Sequence, residues 1–249
     1  MALAYEHDSD WLRTGARTEA GVRVYAIGDI HGRLDLLEKL VEKIDADKAA
    51  HPVATALEIY LGDYIDRGPS SRQTVDFLLK RAAEVENLIF LTGNHEEFLL
   101  QALHDPNAFA PWMRHGGREA LLSYGVVTPR QGGAREIDKA MQEMRAAIPQ
   151  AHIEFFENLL LNYRCGDYFF VHAGVKPGVP LEQQKASDML WIREEFVDYR
   201  GAHPLRVVHG HTVIQNPEIY PGRINIDTGA YVSGKLTCLV LEDRAVSFL

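Results

Sequence analysis

Gly28-Asp29-Ile30-His31-Gly32 follows the apolar run Val22 to Ile27, and Gly62-Asp63-Tyr64-Ile65-Asp66-Arg67-Gly68 follows a second run, Ala56 to Leu61. Gly93-Asn94-His95-Glu96 closes a third, Leu88 to Leu91. Short β-branched and aromatic runs ended by glycine read as strands that stop in tight turns. Between the first two, Leu37, Leu40, Val41 and Ile44 recur at i, i+3, i+4 and i+7, one face of an amphipathic helix. Val75, Leu78 and Leu79 mark a second helix, with Ser70 or Ser71 as its candidate N-cap. This β-α-β-α-β alternation predicts an α/β fold with parallel strands and right-handed crossovers.

Further strands are expected at Tyr168 to Val171, Leu205 to Val208 and Ile224 to Ile226. A closing hairpin is expected from Leu236 to Leu241 and Ala245 to Phe248, turning at Glu242-Asp243-Arg244. Residues 96–162 carry helical periodicity in pieces, broken by Pro106, Pro111, Gly125, Pro129 and Gly132-Gly133. They read as a helical insertion over the rim of a site. Residues 1–20 lack a period and read as a surface arm, leaving one catalytic domain over 1–249.

Composition excludes several classes. Of 249 residues, 46% are hydrophobic and 24% charged, the balance of a globular chain with a substantial core. The formal charge of −9 provides no global field for a nucleic-acid backbone. Two cysteines, Cys165 and Cys238, form neither a disulfide framework nor a clustered metal motif, which fits a reducing compartment. Glu6, Asp8 and Asp10 stand where a signal peptide would be basic, and no apolar stretch is long enough to span a bilayer. A cytoplasmic location is expected, with no nucleic-acid or membrane partner.

The three opening fragments place polar residues just past strand ends, where open α/β sheets hold their sites. Val171-His172-Ala173-Gly174 and His209-Gly210-His211-Thr212 also follow strand-like runs. Asp29, His31, Asp63, Asn94, His172 and His211 then form a mixed carboxylate, imidazole and amide-oxygen set. Such a set suits Mn, Fe or Zn, whereas carboxylates alone would suit Mg or Ca. Two divalent ions about 3.5–4 Å apart can supply a nucleophile at neutral pH and neutralise phosphate oxygens. In Asp29-Ile30-His31, extended alternation is expected to aim both ligands one way and turn Ile30 to the core. Taken singly, Gly-Asp and Gly-Asn pairs are ordinary turns, and a lone buried histidine is commonly structural. Their joint order makes metal-assisted phosphoester hydrolysis the leading reading.

With complete Gly-Asp-x-His-Gly, Gly-Asp-x-x-Asp-Arg-Gly and Gly-Asn-His-Glu motifs, the chain resembles the phosphoprotein phosphatase family of metallophosphoesterases over about residues 22–245. The resemblance implies a four-layer α/β/β/α sandwich with two mixed β-sheets and a dinuclear centre at their seam. By motif, Asp29 and His31 would bind the first metal, Asp63 would bridge, and Asn94, His172 and His211 would bind the second. His211 is chosen over His209 because it precedes the Thr position of the motif. Two residues on, where many other metallophosphoesterases place a further ligand, stands Val213. His95 would be the general acid, held by Asp66, and Arg67 would clamp the phosphate, with Arg193 as a candidate second clamp. The mechanism implied is in-line attack by a metal-bridging hydroxide, with manganese the expected metal and iron or zinc as alternatives.

Two departures bear on the substrate. Eukaryotic members carry Arg where Thr92 stands, and a Ser-Ala-Pro-Asn-Tyr loop where this chain has Asn225-Ile226-Asp227-Thr228-Gly229-Ala230. The ending resembles a bacterial subgroup that also contains symmetrical dinucleoside tetraphosphate hydrolases. The intact Asp66–His95 pair favours a poor leaving group, so a serine/threonine protein phosphatase is the first expectation and a symmetrical dinucleoside tetraphosphate hydrolase the alternative. The expected substrate is a phosphorylated protein or a small phosphoester. Trp112-Met113-Arg114-His115-Gly116-Gly117-Arg118 could either contact that substrate or pack beneath the insertion. A degenerate scaffold would require a missing ligand, and none is missing.

Overall fold

The computed structural model describes residues 15–128, 133–201 and 203–249. Residues 1–14 of the expected arm and the Pro129 to Gly132 break lie outside them. From the arm, Arg17 N donates to Asp167 Oδ2 and Thr18 Oγ1 to the Val22 carbonyl. The chain runs β1 (Val22–Ile27), α1 (Leu34–Ala50), β2 (Thr55–Tyr60), α2 (Ser71–Glu84) and β3 (Leu88–Phe90). Its helical region holds α3 (Asn94–His104), α4 (Pro106–Trp112), a π-helical turn (Met113–Gly117), α5 (Arg118–Ser123), α6 (Ala134–Ala147) and α7 (Gln150–Glu157). Then come β4 (Asn162–Cys165), β5 (Tyr168–Val171), α8 (Ala186–Trp191), α9 (Glu194–Val197), β6 (Arg206–His209), β7 (Glu218–Ile219) and β8 (Arg223–Asn225). The chain closes with α10 (Ala230–Ser233), β9 (Cys238–Glu242) and β10 (Ala245–Phe248).

The strands form two mixed sheets, ordered β10-β9-β1-β2-β3 and β4-β5-β6-β8-β7. In the first, β1, β2 and β3 are parallel, β9 pairs antiparallel with β1, and β10 pairs antiparallel with β9. In the second, β5, β6 and β8 are parallel, with β4 and β7 antiparallel at the edges. Alternation assigns the layers. Val24, Ala26, Leu57 and Ile59 pack against Tyr168, Phe170, Val208 and Ile224 between the sheets. Their neighbours Tyr25, Ile27 and Tyr60 turn outward onto Leu37, Leu40, Val41 and Ile44 of α1 and Val75 and Leu78 of α2. On the far side, Phe169, Val171 and Val207 meet Met189 and Ile192 at α8 and Phe196 of α9. With both faces of each sheet covered, the parallel strands read as near-continuous apolar runs. Cutting fully buried Phe170 to alanine would cost about 3–5 kcal/mol. The result is the α/β/β/α sandwich with two mixed sheets.

Several local expectations need correction. Strand β4 was not expected: Asn162, Tyr163 and Arg164 lack the apolar signal, and the strand exists because it pairs antiparallel with buried β5. Ser70 occupies the N-cap of α2 without a side-chain cap bond, and Ser71 Oγ accepts the Asp66 N–H at 2.9 Å instead. Trp112 is fully buried and so is not a rim contact. Among the described residues no helix is long and apolar enough to cross a membrane.

Candidate dinuclear metal centre

The turns after β1, β2, β3, β5 and β6 converge at the seam of the two sheets. His31 Nε2 lies 3.4 Å from Asp63 Oδ2, and His172 Nε2 lies 3.4 Å from Asp63 Oδ1. One carboxylate therefore faces both halves of the cluster. Donor atoms of His31, Asp63 and His95 lie within 4.8 Å of one another, as do those of Asp63, His172 and His211. Asn94 Oδ1 is 2.9 Å from His172 Nε2, and His211 Nδ1 is 3.2 Å from it. Asp29 turns Oδ2 toward the His211 N–H at 3.0 Å and leaves Oδ1 without a hydrogen-bond partner among the described residues. All six expected ligands come together here, and all are buried. His209 does not join them; its ring packs on Phe196, with centroids 4.9 Å apart.

Turn conformation does the aiming. His31, Asp63, Asp66, Arg67 and His211 are five of the seven described non-glycine residues with positive φ. Such backbone is uncommon for non-glycine residues and persists where surrounding contacts over-determine it. It also corrects the expected alternation: His31 has φ 47°, so Asp29 and His31 reach the site through a turn, not an extended segment. Ile30 does go to the core, fully buried. Glu96 supports the second turn from below. Its carboxylate accepts N–H bonds from Asp63 at 2.9 Å, Tyr64 at 2.8 Å and Gly93 at 2.9 Å.

The arrangement fits a pair of cations. His31 Nδ1 donates to the Ile65 carbonyl and His172 Nδ1 to the Leu61 carbonyl, each at 2.9 Å. Both Nε2 lone pairs are thereby turned into the cluster, as bound metal requires. There, Nε2 of His172 meets Asn94 Oδ1 and Asp63 Oδ1, acceptor against acceptor with no proton between them. Burial holds His31, His172 and His211 below the ordinary histidine range, His211 down to about 2, so their lone pairs are free at neutral pH. In Asp63, burial would raise the carboxyl, but His172, His95, His31 and His211 around it prevail and it is lowered.

His95 differs in kind. Burial alone would lower it, yet Asp63 and Asp66 outweigh burial and raise it. Its Nδ1 lies 2.6 Å from Asp66 Oδ2, which also accepts the Trp112 indole N–H at 2.8 Å. Its Nε2 lies 3.0 Å from Arg67 Nη2, and Arg67 Nη1 lies 3.1 Å from His31 Nε2. Arg67 is seated by Gly116, whose carbonyl accepts the Arg67 N–H at 3.3 Å. Gly116 has φ 109°, and a Cβ there would lie 2.6 Å from Arg67 N, so only glycine fits. Arg193 also reaches the cluster, donating from Nη1 to the His211 carbonyl at 3.2 Å.

Three neighbours escaped the sequence reading. For Trp112 the sequence leaves packing and a rim contact both open, because nothing in it reveals a partner 46 residues away. Tyr231 lies over Arg67, its ring centroid 4.8 Å from the guanidinium carbon, and meets the His31 ring edge-on at 5.3 Å. Asp227 was read only as part of a variant loop, yet it is buried beside Asp29. Its position directly after β8 repeats the strand-end pattern of the other fragments and could have flagged it.

A family model described as calcineurin-like phosphoesterase matches residues 22–234. The bis(5'-nucleosyl)-tetraphosphatase PrpE [asymmetrical] of Anoxybacillus flavithermus is 25% identical over 235 residues, covering 86% of this chain and 88% of its own. Its counterpart from Geobacillus sp. is 27% identical over 236 residues, covering 87% and 89%. Among solved structures, a protein provisionally described as a diadenosine tetraphosphatase superimposes with TM-score 0.63 at 20% identity, covering 94% of this chain and 97% of that one. A protein serine/threonine phosphatase from Saccharomyces cerevisiae gives TM-score 0.56 at 14% identity, covering 97% and 85%. These structural likenesses establish the fold alone. The family match over most of the chain leads to one conclusion: the chain belongs to the calcineurin-like phosphoesterases, enzymes that hydrolyse phosphoesters with a pair of divalent metal ions.

Proposed function

We propose that this enzyme hydrolyses bis(5'-nucleosyl) tetraphosphates. The observation that carries this reading is the near full-length alignment with relatives named for that activity. It reverses the preference drawn from Asp66 and His95, which placed a serine/threonine protein phosphatase first. The site lends support, since Tyr231 is partly exposed above Arg67, and Val213 and Val232, which flank nearby Gly229, are exposed as well. An exposed aromatic ring beside the phosphate clamp is a platform on which a nucleobase can stack.

Asp29, His31 and Asp63 would hold one divalent ion, and Asp63, Asn94, His172 and His211 the other, with manganese, iron or zinc suited to the donors. Bound there, the pair supplies a nucleophile at neutral pH and neutralises phosphate oxygens. The remaining work belongs to the chain. Arg67 can turn from the two imidazoles to grip a phosphoryl group through two N–H bonds, and Arg193 is placed to assist beside His211. Contact with Arg67 uses the His95 Nε2 lone pair, so in this arrangement the ring proton sits on Nδ1 toward Asp66. Once Arg67 moves onto phosphate, Nε2 is free to carry a proton and give it to the leaving oxygen. Asp66 keeps the ring oriented, and Trp112 keeps Asp66 in place. The described elements work as one catalytic unit, with the helical region supplying Trp112 and Gly116 under the rim.

A second reading, phosphoprotein hydrolysis, is favoured by the intact Asp66–His95 pair, which suits a serine or threonine alkoxide leaving group. Diadenosine tetraphosphate, a phosphoserine peptide and a phosphotyrosine peptide should be compared with Mn and with Mg, the nucleotide products being separated by ion-exchange chromatography. Turnover of the dinucleotide at least tenfold above both peptides is expected. ATP plus AMP would mark the asymmetrical cut of the relatives' name, and two ADP the symmetrical one. A phosphoserine peptide turned over with the dinucleotide left intact would replace this reading by the second.

A further inference from the structure

Asp227 is 1% exposed and its carboxylate adjoins that of Asp29, itself 2% exposed. Asp29 Oδ1 and Asp227 Oδ2 each lack a hydrogen-bond partner among the described residues. The other oxygens are held by backbone: Asp227 Oδ1 accepts the Gly229 N–H at 2.9 Å and Asp29 Oδ2 the His211 N–H at 3.0 Å. The chain invests in keeping the two acids together. A Cβ at Gly28 would lie 2.6 Å from the Ile226 carbonyl oxygen, so the glycine lets the end of β1 close onto the residue before Asp227. Asp227 N in turn donates to Asn225 Oδ1, and the Asp227 carbonyl accepts the Ile214 N–H. Arg67 and Asp63 are the other charged groups that act on both carboxylates. Two buried acids side by side, each with an idle oxygen, repel unless a cation or a shared proton sits with them.

We propose that Asp227 is a further carboxylate of the first metal position, engaging the ion held by Asp29, His31 and Asp63 either directly or through a water molecule. This rests on the dinuclear reading above. A third carboxylate, beside Asp29 and the shared Asp63, makes that position harder than the Asn94, His172 and His211 position, and so biases it toward Mn over Zn. The two positions then differ in preferred metal although they share Asp63.

The test is calorimetric titration of chelator-treated protein with Mn and, separately, Zn, using wild type, Asp227→Asn and Asp227→Ser. Both variants retain an acceptor for the Gly229 N–H. Wild type should bind two Mn ions. Each variant should keep one site unchanged and bind the other about 10–100-fold more weakly, with a smaller loss for Zn. Metal-free melting temperatures of the variants should equal or exceed that of wild type, because a like-charge contact has gone. Two Mn sites within threefold of wild type in either folded variant would overturn the assignment and leave the dinuclear reading intact. Failure of wild type to bind two ions would overturn both.

Discussion

Trp112 donates its indole N–H to Asp66 Oδ2, the same oxygen that faces His95 Nδ1. A residue of the helical region thus reaches under the rim to hold the carboxylate that orients the proposed acid. Asp66 Oδ1 has no partner among the described residues, so Trp112 and His95 carry all the side-chain hydrogen bonds of this buried group.

Trp112→Phe should keep most of the packing and remove that donor. We expect a stability loss of about 1–3 kcal/mol, the cost of leaving a buried acceptor poorly satisfied. Urea unfolding at pH 7 with metals present measures it, and a loss under about 0.5 kcal/mol, the range of an ordinary surface substitution, would mean that water replaces the indole.

Asp66→Asn should lower kcat on substrates with poor leaving groups by about 10²–10⁴-fold, the usual weight of a positioned acid. An activated aryl phosphate, which leaves without a proton, should lose far less. The pH profile carries a sign. Asp63 and Asp66 raise His95 against the depressing effect of burial, so the acid form is lost as pH rises through that raised value. Removing the Asp66 charge lowers the value, and the alkaline limb should move to lower pH. Equal losses on both substrates with an unmoved limb would remove His95 from the acid role.

Tyr231→Ala separates substrate platform from cover. If a base stacks there, KM for diadenosine tetraphosphate should rise by about 5–150-fold, corresponding to about 1–3 kcal/mol per stacked base. KM for a small aryl phosphate should change little. Parallel changes for both would show that Tyr231 acts only by positioning Arg67, over which it lies.

His209 offers a cleaner pH experiment than the clustered histidines, because it stands outside the cluster. Burial, with Arg223 next, lowers it to about 3 from 6.5. The unfolded chain therefore takes up a proton below 6.5 that the native protein refuses, and stability falls as pH drops through that window. His209→Leu should flatten the wild-type slope between pH 6.5 and 3 by about 1.4 kcal/mol per unit. Denaturant unfolding at four pH values for both proteins measures the difference. Identical slopes would mean the imidazole is protonated in the fold.

How far the sequence could be read depended on the range of the signal. Val22 to Ile27, Tyr168 to Val171 and Ala245 to Phe248 were legible as strands to the residue because a short apolar run bounded by turns is a local signal. Asn162–Cys165 was not, since its strand identity comes from pairing with Tyr168–Val171. In the site, Asp29, His31, Asp63, Asn94, His172 and His211 stood out as polar residues at strand ends. The conformation that aims them did not: His31 reaches the cluster with a left-handed backbone that its neighbours impose.

By itself the sequence determined the fold class, the candidate ligand set and the chemistry of phosphoester cleavage, because residue types and their order after strands carry that information. Only the tertiary structure decided that Trp112 serves Asp66, that Tyr231 lies on Arg67 and that Asp227 joins Asp29. Each of those contacts spans 46 to 198 residues of chain, and such pairings exist only once the helices and sheets have packed together. The physical reason is that burial, not sequence proximity, makes a lone carboxylate oxygen or an unpaired imidazole nitrogen costly, and burial is settled by packing.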